Sequence, residues 1–296
     1  MCVIESRCID VQGRELHYLE RQGYDSDSPL IVLFHGFPEN AHAWETLIQK
    51  LPESFRVVAP DLPGYHLSAP LLSPNDYQVP NLIARMGAFI SALANNKPVI
   101  LVGHDWGGAI AWPLAAFMPQ LFSKLVILNA AHPSTFTRAL ITSAKQREKS
   151  QYIHTLTASN GESVLRASDF GLFRNMLGSK VFDTPYGEKL LQGWEMPNRL
   201  DAMLNYYRQM PQQVPLHNPT DEQLANIKVP NIRIDVPTLV LWGRQDDAFD
   251  ECILDGLENY VPRLEVQYHD EATHWIHREQ PMWVAEKVAH FILGCR

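Results

Sequence analysis

Short unbroken apolar runs alternate, along the first half of this chain, with longer stretches whose apolar residues recur at helical spacing. PLIVLF (29–34), FRVVAP (55–60), PVILV (98–102) and SKLVILNA (123–130) are the apolar runs, each bounded by turn-forming residues. Runs of this length, rich in β-branched residues, predict strands buried on both faces. RELHYL (14–19) predicts a further strand. Helical patterns fall between them: from HGFPENAHAW through residue 51, NLIARMGAFISALANN (81–96) and AIAWPLAAF (109–117). Strand–helix alternation of this kind predicts an α/β fold, a mostly parallel, doubly wound sheet covered by helices on both sides.

The rhythm then breaks. Residues 134–231 carry helical patterns and the proline-rich PQQVPLHNP (211–219), with no buried strand signal. Strand patterns resume at IDVPTLVLWG (234–243) and RLEVQYHD (263–270), and PMWVAEKVAHFIL (281–293) predicts a closing helix. The expected organisation is a core from 1–133 and 232–296 with an inserted helical cap, 134–231. Such a cap would cover the carboxyl ends of the strands, where open α/β sheets bind ligands.

Composition excludes several classes. A formal net charge of −8 without a run of Lys or Arg argues against nucleic acid and anionic membranes as partners. No apolar stretch approaches the ~20 residues of a spanning helix. The start, MCVIESRCIDVQGREL, is too polar for a secretory signal. Cys2, Cys8, Cys252 and Cys295 are scattered in no metal spacing, and reduced thiols in the cytoplasm are expected. Nothing in the sequence predicts oligomeric state.

The chemistry concentrates at Gly103-His104-Asp105-Trp106-Gly107-Gly108, between a buried strand and an apolar helix. Strand, G-x-nucleophile-x-G, helix is the nucleophile elbow, whose glycines permit the sharp turn that lifts the central side chain. The central residue here is aspartate, not serine. A carboxylate nucleophile forms an ester by attacking an electrophilic sp³ carbon, such as an epoxide carbon or one bearing halide. As a bare helix cap, Asp105 would not need glycines on both sides.

On scaffolds with this elbow the orienting acid and the base follow in that order. Asp246, three residues past Gly243, fits the acid, with Asp247 as rival. His274, before the last helix, fits the base that activates water, with His269 and His277 as rivals. The backbone N–H groups of Phe37, in HGFP (35–38), and of Trp106 are expected to form an oxyanion hole.

The set HGFPE (35–39), DLPGY with Ser68, GHDWGG (103–108), WGxxD (242–246) and THW (273–275) resembles the epoxide hydrolases of the α/β-hydrolase fold. Thr273, where glycine is common, and the acid loop DDAFD, without its usual proline, depart from the pattern. The resemblance implies two cap tyrosines that donate to the epoxide oxygen. LNYYRQMP (204–211) nominates Tyr207 and SQYIHTL (150–156) nominates Tyr152, with His154 as its rival and Tyr206 and Tyr186 as fallbacks. Trp106, Phe37 and His154 are expected to touch the substrate, a small apolar epoxide, with water as co-substrate and neither cofactor nor metal. Phe170, Phe173, Leu191 and Met196 suit either an apolar pocket or, preferably, a packed helical core.

Two other functions compete. A dehalogenase would share the aspartate, yet Phe37 offers no side-chain donor for halide, and Trp106 and Ala109 stand where haloacetate enzymes carry arginines. A non-catalytic ligand-binding protein on the same scaffold would be expected to have lost part of the triad or the tyrosines.

Overall fold

The computed structural model describes residues 3–25 and 28–294; Cys2 and Cys295 lie outside them. Eight strands form one sheet: β1 (Glu5–Val11), β2 (Arg14–Arg21), β3 (Leu30–Phe34), β4 (Arg56–Pro60), β5 (Val99–His104), β6 (Phe122–Leu128), β7 (Thr238–Gly243) and β8 (Leu264–His269). Their spatial order is β1-β2-β4-β3-β5-β6-β7-β8. The first two pairings are antiparallel and the rest parallel, so the expected mostly parallel, doubly wound sheet is present.

Strand β1 has no counterpart in the sequence reading. It is an edge strand, exposed along most of its length, so no apolar alternation marks it. It joins β2 through Gln12 and Gly13, both at positive φ (55° and 75°), the geometry that lets two residues turn a hairpin. β7 begins at Thr238, just past Pro237, later than the pattern from 234 suggests.

Twelve helices are described in chain order. α1 (Glu45–Lys50), α2 (Val79–Leu93) and α3 (Trp106–Phe117) belong to the first half. Between β6 and β7 lie α4 (Pro133–Thr142), α5 (Ala144–Lys149), α6 (Tyr152–Thr157), α7 (Gly161–Leu177), α8 (Pro185–Glu195), α9 (Arg199–Arg208) and α10 (Asp221–Ala225). No described residue there is in a strand. α11 (Ile276–Glu279) and α12 (Pro281–Leu293) follow β8.

Alternate residues of the central strands feed two cores. Ile31, Leu33, Val57, Val102 and Leu241 pack on one face with Leu47 and Ile48 of α1 and Val284 and Val288 of α12. Val32, Phe34, Leu101, Ile127 and Val240 face the other way, towards α2, α3 and the apolar interior of the α4–α9 layer. This is why these strands read as unbroken apolar runs. The inserted helices are pinned to the core by specific hydrogen bonds: Trp194 Nε1 donates to the Pro38 carbonyl and Trp275 Nε1 to the Met176 carbonyl, both at 2.9 Å.

Candidate active site

β5 ends at His104 and α3 begins at Trp106, leaving Asp105 alone at the corner with φ 49° and ψ −119°. A non-glycine residue in that conformation is strained and persists only where its surroundings impose it. The glycines provide the room. A Cβ on Gly107 would lie 2.1 Å from the Phe34 carbonyl oxygen, and one on Gly36 2.4 Å from Asp105 Cβ. The close approach of the β3 loop to the corner lets Phe37 N–H donate to Asp105 Oδ1 at 2.7 Å. The Trp106 amide opens α3 and has no partner within the helix.

The other carboxylate oxygen, Oδ2, lies 3.6 Å from His274 Nε2. On the far side of the ring, His274 Nδ1 meets Asp246 Oδ2 at 2.9 Å. Asp246 is itself fixed: Oδ1 accepts from the amides of Ala248 (2.7 Å) and Phe249 (2.9 Å), and Oδ2 from Asn129 Nδ2 (2.7 Å). Asp247 is exposed. Of the rival histidines, His269 packs edge-on against Trp283, and His277 lies 3.0 Å from Glu39 Oε2. Only His274 stands within ion-pair reach of Asp105 among the described residues.

Burial opposes a charge on His274, but the Asp246 carboxylate, seconded by Asp105, outweighs it and raises the imidazole to about 10. The ring is thus a cation between two anions. His277, equally buried, goes the other way: burial holds it neutral, with a value of about 3.

A cavity of about 630 Å³ opens above Asp105, walled by Trp106, Tyr152 and Tyr207 and by apolar side chains such as Phe136 and Ile153. The rings of Tyr152 and Tyr207 are 6.2 Å apart, and Tyr207 stands edge-on to Phe37 and Trp106. Burial, reinforced by the Asp105 charge, pushes the Tyr152 phenol upward, and burial with Tyr152 and Asp105 does the same to Tyr207. Both are therefore protonated donors at neutral pH.

The fallbacks are engaged elsewhere. Tyr206 donates to the Pro63 carbonyl and Tyr186 to Glu39 Oε1, each at 2.9 Å. Two expected substrate contacts need correction. His154 does not line the cavity, and Phe37, 1% exposed, presents its backbone to Asp105 while its ring packs behind Tyr207 and Phe173. Phe170 and Phe173 join the packed core, as preferred; none of the four apolar cap residues lines the cavity.

Two buried clusters, His17/Asp61/His66 and Glu39/His104/His277, bring metal-binding residue types together. Their acceptors are already committed. Asp61 receives His17 Nδ1 (2.7 Å), His66 Nδ1 (3.0 Å) and the Ala41 amide (2.8 Å). Glu39 faces the Arg278 guanidinium at 2.8 Å, a charge that repels a metal cation.

Comparison with known proteins matches this arrangement. Residues 29–281 fit the profile of the alpha/beta hydrolase fold. The chain belongs to that family. Among alpha/beta hydrolase relatives, the AB hydrolase superfamily protein YfhM of Bacillus subtilis is 30% identical, with 98% of each chain covered. Epoxide hydrolase 1 of Caenorhabditis elegans is 27% identical over 97% of this chain and 70% of its own. Among solved alpha/beta hydrolase structures, an epoxide hydrolase from Bacillus megaterium in complex with an inhibitor superimposes with a TM-score of 0.86 at 29% identity, covering 97% of this chain and all of that one (100%).

Asn129 is the site residue that the sequence reading misses. It closes β6 at φ 38°, accepts the Gly243 amide on Oδ1 (2.8 Å) and donates to Asp246, so it ties the end of β7 to the candidate acid. Its signal is a lone amide at the end of an apolar strand, SKLVILNA, which also fits an ordinary strand-ending turn.

Proposed function

We propose that this protein is an epoxide hydrolase that opens an apolar epoxide to a vicinal diol through an ester on Asp105. The observation that carries the reading is one apolar cavity with a carboxylate on its floor and two protonated phenols, Tyr152 and Tyr207, on its wall. The named epoxide hydrolases among its relatives and structural neighbours support it. Residues 1–133 and 232–296 serve as the core and 134–231 as the cap. The unpaired Cys8 and Cys252 fit a cytoplasmic setting, and no helix among the described residues is long and apolar enough to cross a membrane.

Oδ2 of Asp105 attacks a ring carbon while the phenols donate to the departing oxygen. Oδ1, already on the Phe37 amide, becomes the ester carbonyl oxygen without moving. Esterification also removes a negative charge 3.6 Å from His274 Nε2, so the imidazolium loses a partner and its proton replaces the one that the phenols gave up. Neutral His274, held by Asp246, then takes a proton from water as it attacks the ester. The Phe37 and Trp106 amides stabilise the oxyanion that forms, a contribution of ~10²–10³ in rate per donor. As the oxyanion collapses, the bond from the carboxyl carbon to the diol oxygen breaks, His274 returns its proton to that oxygen, and the Asp105 carboxylate is restored.

The test is His274→Gln mixed with a panel of aryl and alkyl epoxides and weighed as intact protein. The ester is expected to form and persist, adding the substrate mass on the peptide that holds Asp105, and Asp105→Ala is expected to show neither adduct nor turnover. Diol production by the unmodified enzyme with no trapped adduct on the variant would refute the two-step scheme. Halide release from bromoalkanes without diol from any epoxide would favour the dehalogenase reading.

A further inference from the structure

A second concavity, of about 590 Å³, lies apart from Asp105 on the seam between the loop at residues 66–72 and the start of α9. Two guanidinium groups line it. Arg14, the first residue of β2, donates Nε and Nη2 to the Pro70 carbonyl, the former at 2.9 Å. Arg199, the first residue of α9, donates Nε to the His66 carbonyl at 2.7 Å and Nη1 to the Pro197 carbonyl at 3.3 Å. Neither has a carboxylate within ion-pair distance among the described residues. Asp201 also lines the groove, but Arg208 holds its Oδ1 at 2.7 Å. Nη1 of Arg14 and Nη2 of Arg199 have no hydrogen-bond partner among the described residues, and neither atom is fully buried.

The groove therefore holds two guanidinium cations with no ion-paired carboxylate on either among the described residues. Arg199 is only 9% exposed, and a buried cation is unfavourable unless paired. Burial lowers its pKa; Tyr77 and the buried Asp61 carboxylate oppose that shift, and the nearby Arg14 charge adds to it. Arg199 also stands at the positive end of its own helix dipole, where an anionic residue is the favourable choice. Asn198, the residue before it, makes no side-chain cap, although the Arg199 amide donates to the Met196 carbonyl at 3.3 Å and Asp201 stands in the first turn. Carbonyl contacts leave one edge of each guanidinium without a hydrogen-bond partner among the described residues, and an anion in the groove would meet both edges.

We propose that this groove binds a small oxyanion, the phosphate or carboxylate group of a soluble metabolite, between Arg14 and Arg199. The site is independent of the epoxide reading. It bridges a core loop and α9, the helix that carries Tyr207, so the ligand would brace the cap on the core.

Sodium phosphate and sodium succinate, each compared with sodium chloride at equal ionic strength, distinguish the two anion classes by thermal shift and titration calorimetry. A saturable rise in Tm with at least one of them is expected. Affinity should fall 10-fold or more in Arg14→Gln and Arg199→Gln and stay unchanged in Arg233→Gln, a distant exposed control. Should Arg199→Gln not fold, Arg14→Gln and the guanidinium NMR signals of the unmodified protein carry the test, and those of both arginines are expected to shift with the bound anion. No anion-dependent effect beyond sodium chloride overturns the proposal, as does binding that survives both substitutions.

Discussion

Asp105, His274 and Asp246 form a row in which each group sets the state of the next. Asp246 accepts three hydrogen bonds besides its contact with His274, which keeps it ionised and oriented, and the two carboxylates keep His274 charged until one of them is esterified. Tyr152 and Tyr207 act before that point, on the opening ring. Replacing either with Phe is expected to slow ester formation about 10²-fold and both together about 10⁴-fold, within the usual range for general acids. Single-turnover kinetics on His274→Gln isolates that step. Rates unchanged in the double variant would remove the tyrosines from the mechanism.

At the scale of elements, the elbow is a three-way packing of β3, β5 and α3 in which glycine is obligatory for steric reasons. Gly107 has the least room, because its missing Cβ would overlap backbone, not a flexible side chain. Gly107→Ala is therefore expected to cost more than about 4 kcal/mol or to prevent folding, the tail reserved for severe overpacking. Urea denaturation measures it, and a loss below about 1 kcal/mol would show that the elbow can relax. Asn129 plays a quieter part at the same level, joining the ends of β6 and β7 so that the acid loop starts from a fixed point.

Across the whole molecule, buried neutral histidines set the acid limit of stability. His132, 1% exposed, stacks on Tyr260 and stands edge-on to Trp112, and burial lowers its pKa to about 3. Above pH ~6.5 it is neutral in both states and costs nothing. As pH falls below that value the unfolded chain takes up a proton that the folded chain refuses, and stability drops by about 1.4 kcal/mol per pH unit until about pH 3. His277 adds a parallel loss. Between pH 7 and 4.5, His132→Phe is expected to lose about 3 kcal/mol less than the unmodified protein. Equal losses in urea titrations at the two pH values would place the acid limit elsewhere.

What the sequence determined by itself was local. Apolar runs bounded by turns specify the parallel strands, because burial on both faces leaves no polar positions, and glycines around Asp105 specify the elbow, because no other residue fits. The exposed edge strand β1 left no such trace. Tertiary structure alone decided which of two aspartates and three histidines join Asp105, and which of four tyrosines line the cavity, since neighbours in sequence such as Tyr206 and Tyr207 point to different partners on one helix. It also decided that Asn129 meets Asp246, 117 residues away. Spacing along a chain fixes periodicity and turns; the meeting of side chains from separate loops follows only from how the sheet orders its strands.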